Sequence, residues 1–308
     1  MNSLGQVAQQ YVQLRRALGH KMDHAAWLLP AYVAYLETIK AETVTVANAL
    51  AWAQASPRDP APASRSQRIA VVRGFARYLA GIDPRTEVPP VGLLPYPKRR
   101  RAPFIFSADD IGALMAEARQ LTPSFRAATY ETLIGLLVVT GMRVGEAIRL
   151  HRNDVNLTDG VLMVRFSKFG KSREVLLHTS TTHALALYAR RRDERWLHPK
   201  TPNFFVSQQG TPLLYETVLR TFHQLLARSG VGAQSPVRPR IHGLRHSFAV
   251  HTLISWYRDG KDVQAWLPRL STYLGHRDPR FTYRYLSATP ELLALAAGRL
   301  EATAGRRP

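Results

Sequence analysis

The sequence predicts a mainly α-helical protein with two domains, the second of which contains a small β-sheet or hairpin. Apolar residues recur at helical spacing over most of the 308 residues, and two short runs of β-character lie together in the second half. A proline-rich, basic segment separates the halves. A chain of this length allows two domains of ordinary size, and its 45% apolar fraction is enough to form hydrophobic cores.

The first domain, predicted over residues 1–90, consists of four amphipathic helices. They are expected near residues 4–18, 23–39, 45–54 and 64–80. In the fourth helix, Ile69, Val72, Phe75 and Leu79 share one face. Four arginines lie largely away from that face: Arg65, Arg68, Arg73 and Arg77. These arginines either contact phosphates or are simply solvated, and the pattern favours neither.

The composition changes between residues 83 and 103, where six prolines and a basic run occur together. Proline disfavours helix and removes backbone donors, which predicts an extended linker, placed at 91–103. The basic run is a candidate DNA contact along the duplex backbone. It consists of Lys98, Arg99, Arg100 and Arg101.

The second domain is predicted over residues 104–301, followed by a tail at 302–308. Ser107 with Asp110 three residues later marks a helix start. Two strands, 161–166 and 173–178, are joined by a turn that contains Lys168 and Lys171. Further helices are expected near 182–192, 215–228, 243–257, 263–274 and 290–301. The last is rich in Leu and Ala, so we expect it to dock on its own domain or on a neighbouring protomer.

The charge balance indicates a polyanionic partner. Lys and Arg number 42 against 22 Asp and Glu, which gives a net charge of +20 and a pI near 10.9. The absence of cysteine excludes disulfides, thiolate zinc sites and a cysteine nucleophile. The N-terminal residues lack a secretory signal pattern, and no apolar run reaches the ~18 residues that span a bilayer. We therefore expect a protein of the bacterial cytoplasm, associated with the nucleoid and with no membrane partner.

Several catalytic motifs are missing from the sequence. It contains no Walker-type glycine loop, no His-Glu-x-x-His and no Gly-x-Ser-x-Gly. Carboxylates in the second domain form no tight cluster for paired magnesium ions, so we expect neither a metal nor another cofactor. If the protein acts on DNA, its own cationic side chains must stabilise the phosphate.

Five fragments of the second domain offer such side chains. They are Thr140–Glu146 with Arg143, the turn lysines, His242-Gly-Leu-Arg245, Leu274-Gly-His276, and Arg280–Leu286 with two tyrosines. Each fragment alone is a weak signal. In this order, however, the second domain resembles the tyrosine recombinases, the phage-type integrases and Xer-type enzymes. The resemblance covers about 104–301, includes the interval 285 − 276 = 9, and extends loosely to the family's helical, SAM-like core-binding domain.

The resemblance implies a role for each matching residue. Tyr285 is the expected nucleophile, with Tyr283 as a rival that breaks the interval. Arg143 and Arg245 would bind the non-bridging phosphate oxygens, and Glu146 would support the turn. The remaining catalytic residues would be Lys168 (with Lys171 as rival), which protonates the leaving 5′ oxygen, and His242 and His276, which assist proton transfer.

The resemblance further implies a 3′-phosphotyrosine intermediate, double-stranded DNA as substrate, no nucleotide cofactor, and a homo- or hetero-tetramer linked through C-terminal helices. The interval 276 − 242 = 34 exceeds that of the simplest members, and the extra residues fall around 255–268. Together with the C-terminal tail, this segment is similar to recombinases of mobile elements. Two other functions remain open: relaxation of DNA by a type IB topoisomerase-like activity, and DNA binding by an inactive accessory protein.

Overall fold

A computed structural model describes residues 3–55, 62–94, 102–165 and 172–304, with the backbone alone at 62, 63 and 300–304. The chain forms two compact units, Met1–Arg100 and Arg101–Pro308. The division falls within the linker predicted at 91–103.

The first unit contains four helices, within a few residues of the predicted segments. They are α1 (Leu4–Ala17), α2 (Asp23–Thr38), α3 (Val46–Gln54) and α4 (Pro62–Leu79). Side-chain caps start two of them: Ser3 accepts a hydrogen bond from the backbone of Gln6, and Thr45 accepts one from Asn48. The apolar faces meet in one core that includes Tyr32, Trp52 and Phe75, all nearly inaccessible to solvent.

Part of the proline-rich segment packs on this first unit, although the sequence predicts an extended, unburied segment. The backbone N–H of Glu87 donates to the Val44 carbonyl at 2.8 Å, and Leu93 and Leu94 pack against the core. Arg73 of α4 donates to the carbonyl oxygens of Pro89 and Pro90, at 2.7 and 2.8 Å. Proline lacks a donor but keeps its acceptor, and the side chain of Arg73 uses it.

The four arginines of α4 therefore have different environments. Arg68 stacks on Trp52, with its guanidinium carbon 3.8 Å from the ring centroid, and burial lowers its pKa. Arg73 binds the proline carbonyls, Arg65 is half-buried and Arg77 is exposed. Arg68 and Arg73 thus contact the protein itself, and the DNA contacts predicted for the four arginines stay predictions.

The second unit is mainly helical with a small sheet, which confirms the predicted fold class. Its helices are α5 (Ala108–Arg119), α6 (Ser124–Thr140), α7 (Val144–Ala147), α8 (Thr179–Arg195), α9 (Tyr215–Ser229), α10 (His242–Arg258), α11 (Val263–Leu274), α12 (Arg280–Tyr283) and α13 (Pro290–Ala304). Two 3-10 helices cover Arg152–Asp154 and Arg284–Ser287.

The sheet is antiparallel and has three strands in the order β1 (Val155–Asn156), β2 (Val161–Val164) and β3 (Arg173–Leu176). In the central strand, Leu162 lies opposite both Val155 and Val175. The sequence predicts β2 and β3. Strand β3 ends two residues earlier than predicted, and β2 ends at Val164, with Arg165 already outside the strand and Phe166 outside the described residues. The sequence does not predict β1, because two residues are too few to show alternation.

Helix α6 lies at the centre of the second unit and contacts α5, α8 and α10. It is buried over most of its length, which explains why its apolar pattern is nearly continuous. A second apolar cluster joins α10 and α11 to Tyr285 and to Leu292 of α13. This packing brings together the C-terminal ends of α6 and α11 and the first turns of α10.

Helix α13 docks on its own unit in this structure, one of the two positions expected from the sequence. Leu292 is fully buried, and Arg299 donates to the Tyr257 carbonyl at 2.8 Å. Glu291 pairs with Arg258 of α10 at 2.6 Å. Within the described ranges, no helix is long and apolar enough to cross a membrane.

Candidate active site

The turn after α6 positions the first arginine of the site. Gly141 ends the helix with φ +59°, and a Cβ there would lie 2.5 Å from a ring atom of Phe248, so this position requires glycine. The chain then enters α7, and Arg143 is the residue just before this helix. Glu146 accepts hydrogen bonds from the Arg143 backbone N–H at 3.1 Å and from its guanidinium at 2.6 Å. Arg143 is therefore held by the residue three positions later.

Glu146 is a buried carboxylate shared by two arginines. Its second guanidinium partner is Arg173 of β3, whose Nη2 lies 2.8 Å from Oε2. Burial alone would raise the pKa of Glu146, but the hydrogen bonds and charge of Arg173, with those of Arg143, lower it to about 2. The carboxylate is ionised at neutral pH, and its supporting role stays a prediction. Arg173 is not among the residues predicted from the sequence, although an arginine at the start of a strand was a visible candidate for the partner of a buried glutamate.

Arg245 is anchored by two helix ends. It lies in the first turn of α10 with only 2% of its surface exposed. Its Nη1 donates to the Gly141 carbonyl at 2.9 Å and its Nη2 to the Leu274 carbonyl at 2.6 Å. These carbonyls lie at the C-terminal ends of α6 and α11, where helices leave acceptors unpaired and carry partial negative charge. Burial and the nearby Arg143 lower the pKa of Arg245 to about 10, so the guanidinium stays charged at neutral pH.

Arg143 makes a similar contact on the opposite side, since its Nη2 donates to the Gly275 carbonyl at 3.1 Å. Each guanidinium has five N–H donors, so these bonds fix the orientation of both groups and leave donors for a ligand. The two arginines, with the tyrosine and histidines described next, form what we call the catalytic pocket. It consists of Arg143, His242, Arg245, His246, His276 and Tyr285.

The structure separates the two candidate tyrosines clearly. Tyr285, in the second 3-10 helix, is 5% exposed and lies in the catalytic pocket, whereas Tyr283 is 46% exposed. The Tyr285 hydroxyl is 3.1 Å from Nδ1 of His246, and its ring stacks near His276 with centroids 6.2 Å apart. Burial raises the pKa of Tyr285 above its usual 10, while the charges of Arg245 and Arg143 act in the opposite direction.

The three histidines of the pocket are neutral at neutral pH. Burial and nearby positive groups lower the pKa of the half-buried His276 to about 3. Desolvation and the nearby His246, Arg245 and Arg143 also lower the pKa of His242, although this side chain is exposed. Nδ1 of His276 lies 2.7 Å from the Thr282 hydroxyl, and the ring of His246 meets His242 edge-on with centroids 4.8 Å apart. His246 is not among the site residues predicted from the sequence. Its position directly after Arg245 and one helical turn after His242 was the available signal.

Several predicted residues cannot be placed. Lys168 and Lys171 in the β2–β3 turn, and Lys98, Arg99, Arg100 and Arg101 of the basic run, lie outside the described residues. Their assigned roles stay predictions. In the part of the chain that the structure covers, no group of three or more His, Asp or Glu side chains is arranged to hold a metal ion.

The arrangement suits chemistry on a phosphate diester. Two oriented guanidinium groups match the oxygens of a phosphate, and a buried phenol beside neutral imidazoles provides a nucleophile with proton acceptors nearby. The helical fold together with this set of residues defines the class of DNA strand-exchange enzymes that use a tyrosine.

Comparisons with known proteins agree with this class. Residues 105–291, more than half of the chain, match the Phage integrase family. The chain is 40% identical over 308 residues to the integrase/recombinase y4rB of Sinorhizobium fredii, covering 98% of each chain. It is 32% identical to tyrosine recombinase XerC of Rhodospirillum centenum over 79% of this chain and 67% of that one. Among solved structures, the Tn1549 transposon integrase in complex with transposon right end DNA has the same fold, with a TM-score of 0.67 at 15% identity, covering 97% and 99% of the two chains.

The chain therefore belongs to the phage integrase family, that is, to the tyrosine recombinases. It is a DNA strand-exchange enzyme.

Proposed function

We propose that this protein is a site-specific recombinase that cleaves and rejoins DNA strands through a 3′-phosphotyrosine at Tyr285. The observation that carries the proposal is the position of the Tyr285 hydroxyl, buried in the catalytic pocket near the charged Arg245 and Arg143. A tyrosine with a merely structural role has no need of two guanidinium groups whose remaining donors are free to bind an anion.

The chemistry follows from the charges. Attack by the phenolic oxygen forms a P–O bond and adds negative charge to the equatorial phosphate oxygens, where Arg143 and Arg245 would donate. The bond to the 5′ oxygen breaks, and Lys168 would supply the proton that this oxygen needs. Because the phosphotyrosine keeps the diester bond energy, a 5′ hydroxyl from another strand can reverse the reaction without a nucleotide.

We propose that four protomers act together, on nucleoid DNA in the bacterial cytoplasm. Strand exchange joins two duplexes, and each recombination site exchanges two strands, so four tyrosines are required. Helix α13 is the element proposed to link protomers. Its contacts with α10 include the fully buried Leu292, an exposed ion pair, and hydrogen bonds from Arg299 to the Trp256 and Tyr257 carbonyls, so a neighbouring protomer would have to replace these contacts.

We also propose that the substrate DNA is the end of a mobile element. The y4rB relative is named as an integrase/recombinase, and the similar solved fold is a transposon integrase bound to transposon end DNA. Repeats flanking the coding region in the source DNA would support this assignment.

The test uses a duplex that the protein enriches from a random library, rebuilt with a nick just beyond the cleavage position. On such a substrate the cleaved fragment diffuses away and the covalent complex accumulates. We expect a denaturant-resistant adduct with the wild type and with Tyr283→Phe, and none with Tyr285→Phe. An adduct with Tyr285→Phe would contradict the proposed nucleophile.

The same protein and enriched duplex distinguish the two other candidate functions, topoisomerase-like relaxation and DNA binding without catalysis. Efficient relaxation of a supercoiled plasmid that lacks the enriched site would favour topoisomerase-like activity. Binding of the enriched duplex without any adduct would favour an inactive accessory protein.

A further inference from the structure

His246 is the pocket residue to which the family resemblance gives no role. It lies on α10 directly after Arg245, is half-buried, and its Nδ1 lies 3.1 Å from the Tyr285 hydroxyl. The two ring centroids are 5.5 Å apart and the rings are tilted by 57°, so the contact is made by the edge of the imidazole. A nitrogen of His246 therefore contacts the atom that would attack phosphorus.

Nδ1 of a neutral histidine accepts a hydrogen bond when the ring proton is on Nε2. In that tautomer, Nδ1 of His246 lies where it can accept the hydrogen of the Tyr285 hydroxyl. The phenolic hydrogen would then be directed to His246.

The other two histidines of the pocket are less well placed to take the phenolic proton. Nδ1 of His276 is already 2.7 Å from the Thr282 hydroxyl, and the His276 and Tyr285 rings are 24° from parallel with centroids 6.2 Å apart. His242 contacts His246 edge-on. Among the described side chains, His246 provides the nitrogen that hydrogen-bonds the nucleophile.

We propose that His246 is the general base of strand cleavage: its Nδ1 accepts the phenolic proton as the Tyr285 oxygen bonds to phosphorus, and returns that proton when the strand is rejoined. The P–O bond to the 5′ oxygen breaks in the same step, and the leaving oxygen takes a different proton, from Lys168. This inference rests on the proposed function of Tyr285. Burial and the charge of Arg245 lower the pKa of His246, which keeps the ring neutral and able to accept before cleavage.

Two substitutions separate proton transfer from positioning. His246→Phe keeps a ring of similar size without the acceptor, whereas His246→Asn keeps an oxygen near the Nδ1 position that accepts a hydrogen bond but no proton at neutral pH. We expect both to slow single-turnover adduct formation on the nicked, library-enriched duplex by about 100-fold or more. DNA affinity and melting temperature should remain close to those of the wild type. His251→Asn is the matched control, since His251 is exposed on the same helix, and it should react at the wild-type rate.

A second substrate identifies which proton is involved. Replacing the 5′ leaving oxygen by sulfur creates a leaving group that needs no proton, so it should restore cleavage in Lys168→Ala. It should not restore cleavage in the two His246 variants, because the nucleophile still has to lose its proton. This readout also holds if the variants lose some stability, because the two substrates are compared on the same protein.

Three results would overturn the inference. A wild-type rate in His246→Asn would show that the hydrogen bond alone matters. Restoration of His246→Phe by the sulfur substrate would place His246 on the leaving-group side. Each of these leaves the proposed function intact, since the wild type still forms the Tyr285 adduct. Absence of any adduct from the wild type would instead overturn both proposals.

Discussion

The arginines of the catalytic pocket and those of α4 show two different uses of the same side chain. Arg245 and Arg143 are anchored on carbonyls at the ends of helices, and each guanidinium keeps further donors. On α4, Arg68 covers an aromatic ring and Arg73 binds the start of the proline-rich segment, while Arg77 is exposed. The pocket arginines are oriented before any ligand arrives, whereas on α4 Arg68 and Arg73 contact their own unit and Arg77 is exposed at the surface.

This difference determines what each arginine can contribute. An oriented guanidinium stabilises charge that develops in a transition state without reorganising, and so accelerates a reaction. An exposed one adds electrostatic attraction to DNA, which affects binding at any sequence. Substitutions in the two regions should therefore change different measured quantities.

The largest effect is expected from Arg245→Lys. The single ammonium of lysine cannot reach the Gly141 and Leu274 carbonyls and a phosphate at the same time, so the charge is kept but its orientation is lost. We expect adduct formation at saturating DNA to slow by about 100- to 1000-fold. The rate of covalent complex formation on the nicked duplex measures this effect.

Arg192→Lys is the control for burial. Arg192 of α8 is equally buried and donates to the Phe204 carbonyl at 2.9 Å, but it is not part of the catalytic pocket. Its substitution should cost about 1–3 kcal/mol of stability without slowing cleavage per folded molecule. If both variants slow cleavage equally, the role given to Arg245 is wrong.

Glu146→Gln should have the next largest effect. The amide lacks the charge that pairs Arg143 with Arg173, which leaves two partly buried guanidinium groups close together. We expect a loss of about 3 kcal/mol in the free energy of unfolding, because one partner of a buried ion pair is neutralised. Cleavage should slow by about tenfold or more because Arg143 loses its orientation.

Asp154→Asn tests whether neutralising any buried carboxylate would also slow cleavage. Asp154 is buried and accepts hydrogen bonds from the His151 backbone and from Arg165, away from the pocket residues. It should reduce stability and leave the cleavage rate of the folded enzyme unchanged. Slower cleavage in this variant would show that loss of stability alone explains the Glu146 result.

The pocket should also make stability depend on pH. The folded-state pKa of His276, about 3, lies below its usual 6.5, so the unfolded chain binds a proton in this range that the folded chain does not. Stability is therefore lost as the pH falls below about 6.5, by about 1–2 kcal/mol at pH ~5 after allowance for partial exposure. Urea unfolding measured at neutral pH and at pH ~5 should show this loss of stability in the wild type and a smaller loss in His276→Asn.

Glu146 acts in a different pH range. Its folded-state pKa, about 2, lies below the usual 4.5, so its contribution is present above 4.5 and disappears only as the pH falls toward 2. Glu146→Gln should therefore leave the change between neutral pH and pH ~5 unaltered. An altered slope there would contradict the assignment of that change to the histidines.

Local pattern predicts the elements of this protein well and their long-range contacts poorly. The periodicity that predicts a helix at 263–274 coincides with α11, because an Asp262 cap and Gly275 mark both ends. The contacts of Arg173 with Glu146 and of His246 with Tyr285 join residues 27 and 39 positions apart, and no local period contains them. The motifs and their order identify Arg143, Arg245 and Tyr285 through the family resemblance. The resemblance does not reveal the backbone carbonyls that orient the two arginines.

The smallest expected effect completes the comparison with α4. Arg77 is exposed, so Arg77→Gln should weaken DNA binding by a few-fold and lower the salt dependence of log K by about one unit if it contacts one phosphate.

Arg73→Gln removes the bonds to the Pro89 and Pro90 carbonyls, and we expect a loss of about 1–2 kcal/mol of stability with little change in the salt slope. Binding titrations from low to moderate salt, paired with unfolding curves, separate the two. If Arg73→Gln lowers the salt slope and leaves stability unchanged, Arg73 exchanges its carbonyl partners for phosphate, and the division between stabilising and DNA-contacting arginines on α4 fails.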